Sequence, residues 1–381
     1  MSGSSVKILM KLYSPSPVGN AAAALAMNPE LLVFAGCGSF LTDTMRNRYN
    51  YLFHRRGLRT VVTDPLMLER GAATLCGEQL SALLGRYADV RPCVDISGGD
   101  AMLGMALGAV LSEHPGWECP VFESRLSEGV FVPGKHADFV RRIAFPSMTA
   151  AEMSYLRTGS PVMPDEENDV CLRRKDLDRT LVRLIRGASG LYAERRSDWE
   201  KISLAFRDSI VGSSPGRLDY VEDTRRLGVR DDALDELADA GFLASYERRG
   251  GTLRLRFESE AASELLLHFE RVPLWQSFLT AAYVRKYDGS AAYRDLVLRR
   301  TYAAGIRDCV PRIIACLCGG ETADDLVLLK HRAAAEYGDL LKIFLVRTSA
   351  ADITDQVRLT ASELDMRIVS QEGLSEALQP R

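Results

Sequence analysis

The chain has 381 residues, 46% hydrophobic and 26% charged, with a formal net charge of −3. That length exceeds the roughly 250–300 residues at which one hydrophobic core stops growing, so two or three domains are expected. The balance excludes a disordered chain and a uniformly basic nucleic-acid binder, and no apolar run approaches the ~20 residues of a membrane span. In chain order, Val6–Leu12 reads as a strand, followed by a Pro- and Ser-rich loop (Tyr13 to Pro17) and a helix through Asn20–Met27. Glu30–Gly36 is a second strand ending in Gly36-Cys37-Gly38-Ser39, and a helix through Leu41–Arg56 leads to a third strand, Leu58–Thr63. Glu69–Tyr87 is helical, Val90–Ile96 is a fourth strand running into Ser97-Gly98-Gly99-Asp100, and Ala101–Leu111 is an Ala/Met/Leu helix. Such alternation predicts an α/β, Rossmann-like domain over residues 1–150, with a mostly parallel sheet. The loops at 13–20, 36–39 and 97–100 all leave carboxyl ends of strands, where ligands of such sheets bind.

Beyond Met148 the texture changes. Thr149–Gly159 is helical, and the acidic, Pro-containing Pro161–Asp169 suits an exposed loop. Arg217–Gly241 followed by Phe242–Phe257 reads as helix, turn, helix and hairpin, a winged-helix-like α+β connector over 151–271. Arg225, Arg226, Arg230, Arg248 and Arg249 would serve DNA binding, but the helix DDALDELADAG is acidic and repels phosphate, which favours a connector or dimerisation module. From about Val272 the chain is again α/β: a Trp275–Tyr283 helix, the strand Arg312–Cys318, a Thr322–Tyr337 helix with Gly338 as C-cap, the strand Leu341–Val346, a helix through Val357–Leu364 and a closing strand, Arg367–Val369.

The opening lacks a signal peptide's apolar core. The eight cysteines are scattered, with Cys93, Cys316 and Cys318 inside apolar runs, as reduced core cysteines are, which points to the cytoplasm. Cys309, Cys316 and Cys318 have no second ligand pair after them, so packing outweighs zinc. There is no G-x-S-x-G, Walker lysine or H-E-x-x-H.

The segment DISGGDAMLGMALG resembles the strand–TGGTK–Met–helix signature of CARF domains, sensors of cyclic oligoadenylates in type III CRISPR defence, and KILMKLYSPSPVGNAAAALAMNPELLVFAG resembles that domain's opening. The resemblance implies a homodimer holding a ring ligand, cyclic tetra-adenylate, against Ser14, Asn20, Ser39, Ser97, Gly98, Gly99 and Asp100, with Met102 packing beneath. The signature's lysine is Ala101 here and the threonine before it is Asp100, an acid that disfavours phosphate.

LWQSFLTAAYV, RDCVPRIIACLCGG, ETADDLVLLKHRAAAEYGDLLKIFLVRTS and VRLTASELDMRIVS resemble the restriction-endonuclease-like, PD-(D/E)XK domain that follows CARF in type III CRISPR ancillary nucleases, here over 272–381. Anchored on Cys309-Val310-Pro311 and Cys316, the resemblance places Arg299-Arg300-Thr301-Tyr302 where Asn-Glu-x-Asp belongs, and Ala315-Cys316-Leu317 where Ser-Cys-Lys belongs. Both metal carboxylates and the lysine are then missing, so no catalytic residue, no metal ligand and no cofactor are expected. Mn²⁺ or Mg²⁺ would be needed only if the domain were active, through a relocated site drawn from Asp295, Asp308, Glu321, Asp324, Glu336 and Lys330. His331 reads as a surface or core-edge residue, and Arg299, Arg300, Arg307 and Arg312 could attract nucleic acid without cutting it. The leading expectation is a ring-nucleotide sensor with an inactive nuclease-like domain. The alternatives are a ligand-gated metal-dependent DNA or RNA nuclease and a winged-helix transcription regulator.

Overall fold

Five residues with their side chains buried, Lys11 among them, make β1 (Ile8–Leu12) in a computed structural model. It describes residues 6–38, 40–68, 73–160, 162–165, 170–173, 179–207, 219–223, 228–269, 272, 275, 278–280, 282, 296–298, 302–307, 310–317, 320–347, 353–370 and 373–374. Next comes α1 (Pro17–Met27), whose start is fixed by Ser16: its side chain accepts from the Gly19 N–H, and Pro17 sits where a missing N–H costs nothing. Ala21–Ala24 are buried. Then follow β2 (Leu31–Cys37), α2 (Asp43–Arg55), β3 (Val61–Val62), β4 (Leu66–Leu68), α3 (Ala73–Arg86), β5 (Cys93–Asp95), α4 (Ala101–Glu113), β6 (Val121–Arg125), β7 (Val130–Pro133) and α5 (Ala150–Thr158).

The first sheet runs β3-β2-β1-β5-β6-β7, with β4 also pairing β2; every pair is parallel except β6 with β7. Strand alternation sends Ile8, Met10 and Leu12 into a core with Leu80, Leu84, Leu103 and Leu107 of α3 and α4, and turns Leu9 and Lys11 to the opposite face. From β1 the chain continues to β2 on one side, while β5 lies on the other. The loops after β1 and β5 therefore diverge at a topological switch point, the place where open sheets of this kind hold ligands.

Chain packing divides the molecule into two compact units, Met1–Ser160 with Ile306–Val310 and Ala334–Leu340, and Pro161–Gly305 with Pro311–Ala333 and Leu341–Arg381. The second holds β8 (Val162–Asp165), β9 (Val170–Arg173), α6 (Arg179–Arg207), β10 (Asp219–Asp223), α7 (Asp231–Asp239), β11 (Leu243–Arg249), β12 (Thr252–Phe257) and α8 (Glu260–Leu267). There follow β13 (Leu296–Leu298), β14 (Ala303–Arg307), β15 (Val310–Leu317), α9 (Ala323–Tyr337), β16 (Lys342–Arg347), α10 (Asp355–Glu363) and β17 (Met366–Ser370). A three-stranded sheet, β10-β12-β11, and a seven-stranded one, β17-β16-β15-β14-β13-β9-β8, draw on one apolar cluster in which Tyr192, Trp199, Phe242 and Trp275 meet Ile314, Phe344 and Val346.

Several segments depart from the sequence reading. Val162–Asp165, expected as loop, is the edge strand β8, a position that tolerates Pro164 because the ladder there needs fewer N–H donors. The segment after Arg217, expected as a helix, contains β10, a charged edge strand antiparallel to β12. The third strand is only two residues, and β4 supplies a second parallel neighbour to β2. The hairpin of β6 and β7 escaped the sequence reading altogether. Much of the Trp275–Tyr283 helix lies outside the described residues.

Candidate functional site

Two loops meet at the switch point. In the first, Ser14 is tied to α1 by Asn20: the Asn20 Oδ1 accepts from the Ser14 N–H at 2.9 Å, and its Nδ2 donates to the Ser14 carbonyl at 2.8 Å and to the Tyr49 hydroxyl at 3.2 Å. Asn20 is fully buried, so its amide is spent on shaping the loop. The Ser14 hydroxyl accepts from the Ser16 N–H.

The second loop is Ser97 to Asp100. Gly99 donates its N–H to the Tyr13 carbonyl at 2.8 Å, which joins the two loops, and it has a φ of +74° that favours glycine. At Gly98 the demand is space: a β-carbon there would lie 2.1 Å from the Leu12 carbonyl oxygen. Asp100 caps α4, its carboxylate accepting from the Leu103 N–H at 2.8 Å. That leaves the main-chain N–H groups of Asp100, Ala101 and Met102 at the helix end without helical partners, facing the same way as the positive end of the helix dipole. Asp100 is therefore a cap as much as a repellent of anions, and Met102 packs on the α3–α4 core. Ser39 lies outside the described residues.

Beneath the second loop is a buried polar cluster that sequence reading missed. Lys11 and Asp95, both with fully buried side chains, pair at 3.0 Å. The Asp95 carboxylate also accepts from the Ser97 N–H at 2.9 Å, the Ser97 hydroxyl at 2.6 Å and the Ser124 hydroxyl at 2.6 Å, and Lys11 donates to the Ser97 oxygen as well. Burial pulls the Lys11 ammonium below its ordinary range, and Asp95 opposes that pull. Breaking such a pair from one side strands a buried charge and costs about 3–5 kcal/mol. The available signal was a lysine inside an apolar strand and an aspartate inside another, two charges that neighbouring strands can bury only together.

In the second unit, Tyr302, Ala315, Cys316 and Leu317 are all buried. Burial pushes the Cys316 thiol up to about 12, and its sulfur lies 3.1 Å from the Thr280 hydroxyl. Hard divalent ions need carboxylate or other oxygen ligands, and these described positions supply no carboxylate, so Mg²⁺ or Mn²⁺ does not fit there. Arg299, Arg300, Asp295 and Asp308 lie outside the described residues. Asp324 and Glu336 sit at opposite ends of α9, about 18 Å apart along a helix rising 1.5 Å per residue, too far to share an ion. Lys330 donates to the Leu364 carbonyl, and His331 is exposed. Arg312, expected in a basic patch, is instead 6% exposed with its guanidinium over the Phe344 ring, because β15 is an interior strand. Among the described residues no group of three His, Cys, Asp or Glu is placed to hold a metal.

Several arginines of the winged segment pair with its own acids, and Arg249, beside Glu247, is 83% exposed. Arg248 donates to Asp231 at 3.1 Å and to the Val229 carbonyl at 2.8 Å, Arg230 pairs with Asp232, and Arg195 holds Glu236 at 2.6 Å. Arg225 and Arg226 are outside the described residues.

No protein-family model and no curated protein matches this chain. Solved structures do. Protein VC1899 from Vibrio cholerae superposes with a TM-score of 0.67 at 14% identity, over 97% of this chain and 96% of that one. Can2 from Sulfobacillus thermosulfidooxidans, solved in complex with cyclic tetra-adenylate, superposes with a TM-score of 0.60 at 11% identity, over 98% of this chain and 96% of that one. The chain shares their fold. With 97% and 98% of the chain covered, the likeness extends over both units. No described helix is long and apolar enough to cross a membrane.

Proposed function

We propose that the chain is a homodimeric, cytoplasmic sensor of cyclic oligoadenylate, with cyclic tetra-adenylate as its ring, acting in type III CRISPR antiviral defence. In this reading residues 1–150 are a CARF domain, 151–271 a winged-helix-like connector and 272–381 a restriction-endonuclease-like domain without catalysis. The observation that carries it is the fold likeness, over 98% of this chain, to a protein solved with cyclic tetra-adenylate. Gly98 lets the loop pack directly on the end of β1, which holds it beside the Ser14 loop.

The dimer is supported by α4. Its outer face carries Ala101, Gly104, Met105, Gly108 and Ala109, all exposed, with Met105 at 68%. Small residues at Gly104 and Gly108 leave room for a second helix to approach, and Asp100 at the start of α4 would bring two ligand loops together across a two-fold axis. The absence of a carboxylate at Tyr302, Ala315, Cys316 and Leu317 supports a nuclease-like domain that binds or regulates. The internal pairing of Arg248 and Arg230 weighs against the winged segment as a DNA reader.

A thermal-shift screen with cyclic oligoadenylates of different ring size tests the sensor. A ring at ~100 times its dissociation constant adds about 2.7 kcal/mol of apparent stability, and no shift with any ring overturns the reading. Incubation with Mn²⁺ or Mg²⁺, the ring and single-stranded or plasmid substrates is expected to give no cutting. Ring-dependent cutting would instead establish the metal-dependent nuclease.

A further inference from the structure

We infer that Lys11 is a positioning residue for the ligand loop: its ammonium, held between Asp95 and Ser97, sets the geometry in which Gly98 and the start of α4 are presented. The ligand part of this inference rests on the reading above.

Of the four donors that converge on Asp95, two belong to Ser97, the first residue of the loop, and the others come from Lys11 on β1 and Ser124 on β6. One carboxylate thus ties three adjacent strand ends to the loop. Lys11 grips both the carboxylate and the Ser97 oxygen, so it fixes the direction of the Ser97 side chain as well as the charge of the cluster. With no exposed side-chain surface, the ammonium is enclosed by protein and acts through Ser97. The next residue, Leu12, provides the carbonyl against which Gly98 is packed. The loop is therefore held at two consecutive points of β1, by a side chain at Lys11 and by the main chain at Leu12.

A role confined to stability would not need these residues, since a buried ion pair can be exchanged for apolar side chains of similar volume at little or no cost in stability. What the exchange removes is the grip on Ser97. The triple variant Lys11→Met/Asp95→Leu/Ser124→Ala makes that exchange, removes the buried Ser124 hydroxyl together with its acceptor, and leaves the half-buried Ser97 hydroxyl and N–H to solvent. In the full chain it is expected to melt within about 5 °C of the wild type. Its Ser97 and Gly99 amides are expected to exchange with solvent at least about tenfold faster, those of β2 being unchanged. Its affinity for cyclic tetra-adenylate should fall at least about tenfold, as a site loses preorganisation. Should the triple variant fail to fold, Ser97→Ala keeps the ion pair and cuts the same link, and the same local loosening of Gly99 is expected. Wild-type exchange at the loop and wild-type affinity in a folded variant would overturn the inference. A wild-type protein that binds no ring would overturn the ligand reading instead, and amide exchange would still decide what Lys11 does.

Discussion

The β-carbon that Gly98 lacks would sit 2.1 Å from the carbonyl oxygen of Leu12, well inside van der Waals contact with the end of β1. Gly98→Ala must therefore push the loop off the strand, with a cost of about 1–3 kcal/mol in urea unfolding and loss of ring binding in calorimetry. Gly104, at the exposed face of α4, has nothing within 4 Å of the same position. There Gly104→Ala should stabilise the monomer fold by about 0.5–1 kcal/mol, so the two glycines shift the unfolding midpoint in opposite directions.

Asn20 offers a second test. Asn20→Asp keeps the acceptor for the Ser14 N–H and loses both donors, so the Ser14 carbonyl and the Tyr49 hydroxyl each lose a partner. A loss of about 1–3 kcal/mol is expected, read as an earlier unfolding midpoint with an unchanged slope. No change in midpoint would show that the Ser14 loop does not depend on α1.

Met105→Glu addresses the assembly. A carboxylate at a side chain 68% exposed in the single chain costs that chain little. Buried between two copies of α4, it would face its own image and separate them. Analytical ultracentrifugation should show a dimer for the wild type and a monomer for the variant; a variant that stays dimeric would move the interface elsewhere.

Alkaline stability follows from buried acids. Burial raises the Cys93 and Cys316 thiols to about 12 and lifts the Tyr49 phenol well above its ordinary range. In the unfolded chain the thiols ionise near 9 and the phenol near 10, so above those values the unfolded state has released protons that the folded state retains. The contribution is complete below pH 9 and is lost as pH climbs toward 12. Denaturant midpoints should fall across that interval, and Cys93 and Cys316 should resist thiol reagents in the native protein at pH 8.

Much of the first unit was legible because its strands are apolar runs bounded by glycine, proline and caps: Ile8–Leu12, Leu31–Cys37 and the turn into Ala101 all declare themselves. What escaped was decided by tertiary context. Val121–Arg125 carries Glu123, Ser124 and Arg125, and becomes a strand only because β5 and β7 flank it. Asp219–Asp223 is acidic at both ends and takes its conformation from β12. At the site, the glycines of the second loop could be read directly, since their requirement is local. The purpose of Asn20 and the existence of the Lys11–Asp95 pair could not, because each depends on a partner brought close by the fold.

The far end of α4 has a use of its own. There the His114 and Trp117 rings lie 4.0 Å apart and within 9° of parallel, whereas Trp199 and Trp275 are enclosed in the second unit. The helix α4 is a rod of about 20 Å whose opposite end is the loop of Ser97 to Asp100. The molecule thus carries a native fluorophore just beyond the end of the helix that begins at its candidate binding site, and Trp117→Phe would show how much of any ligand-induced change in emission arises there.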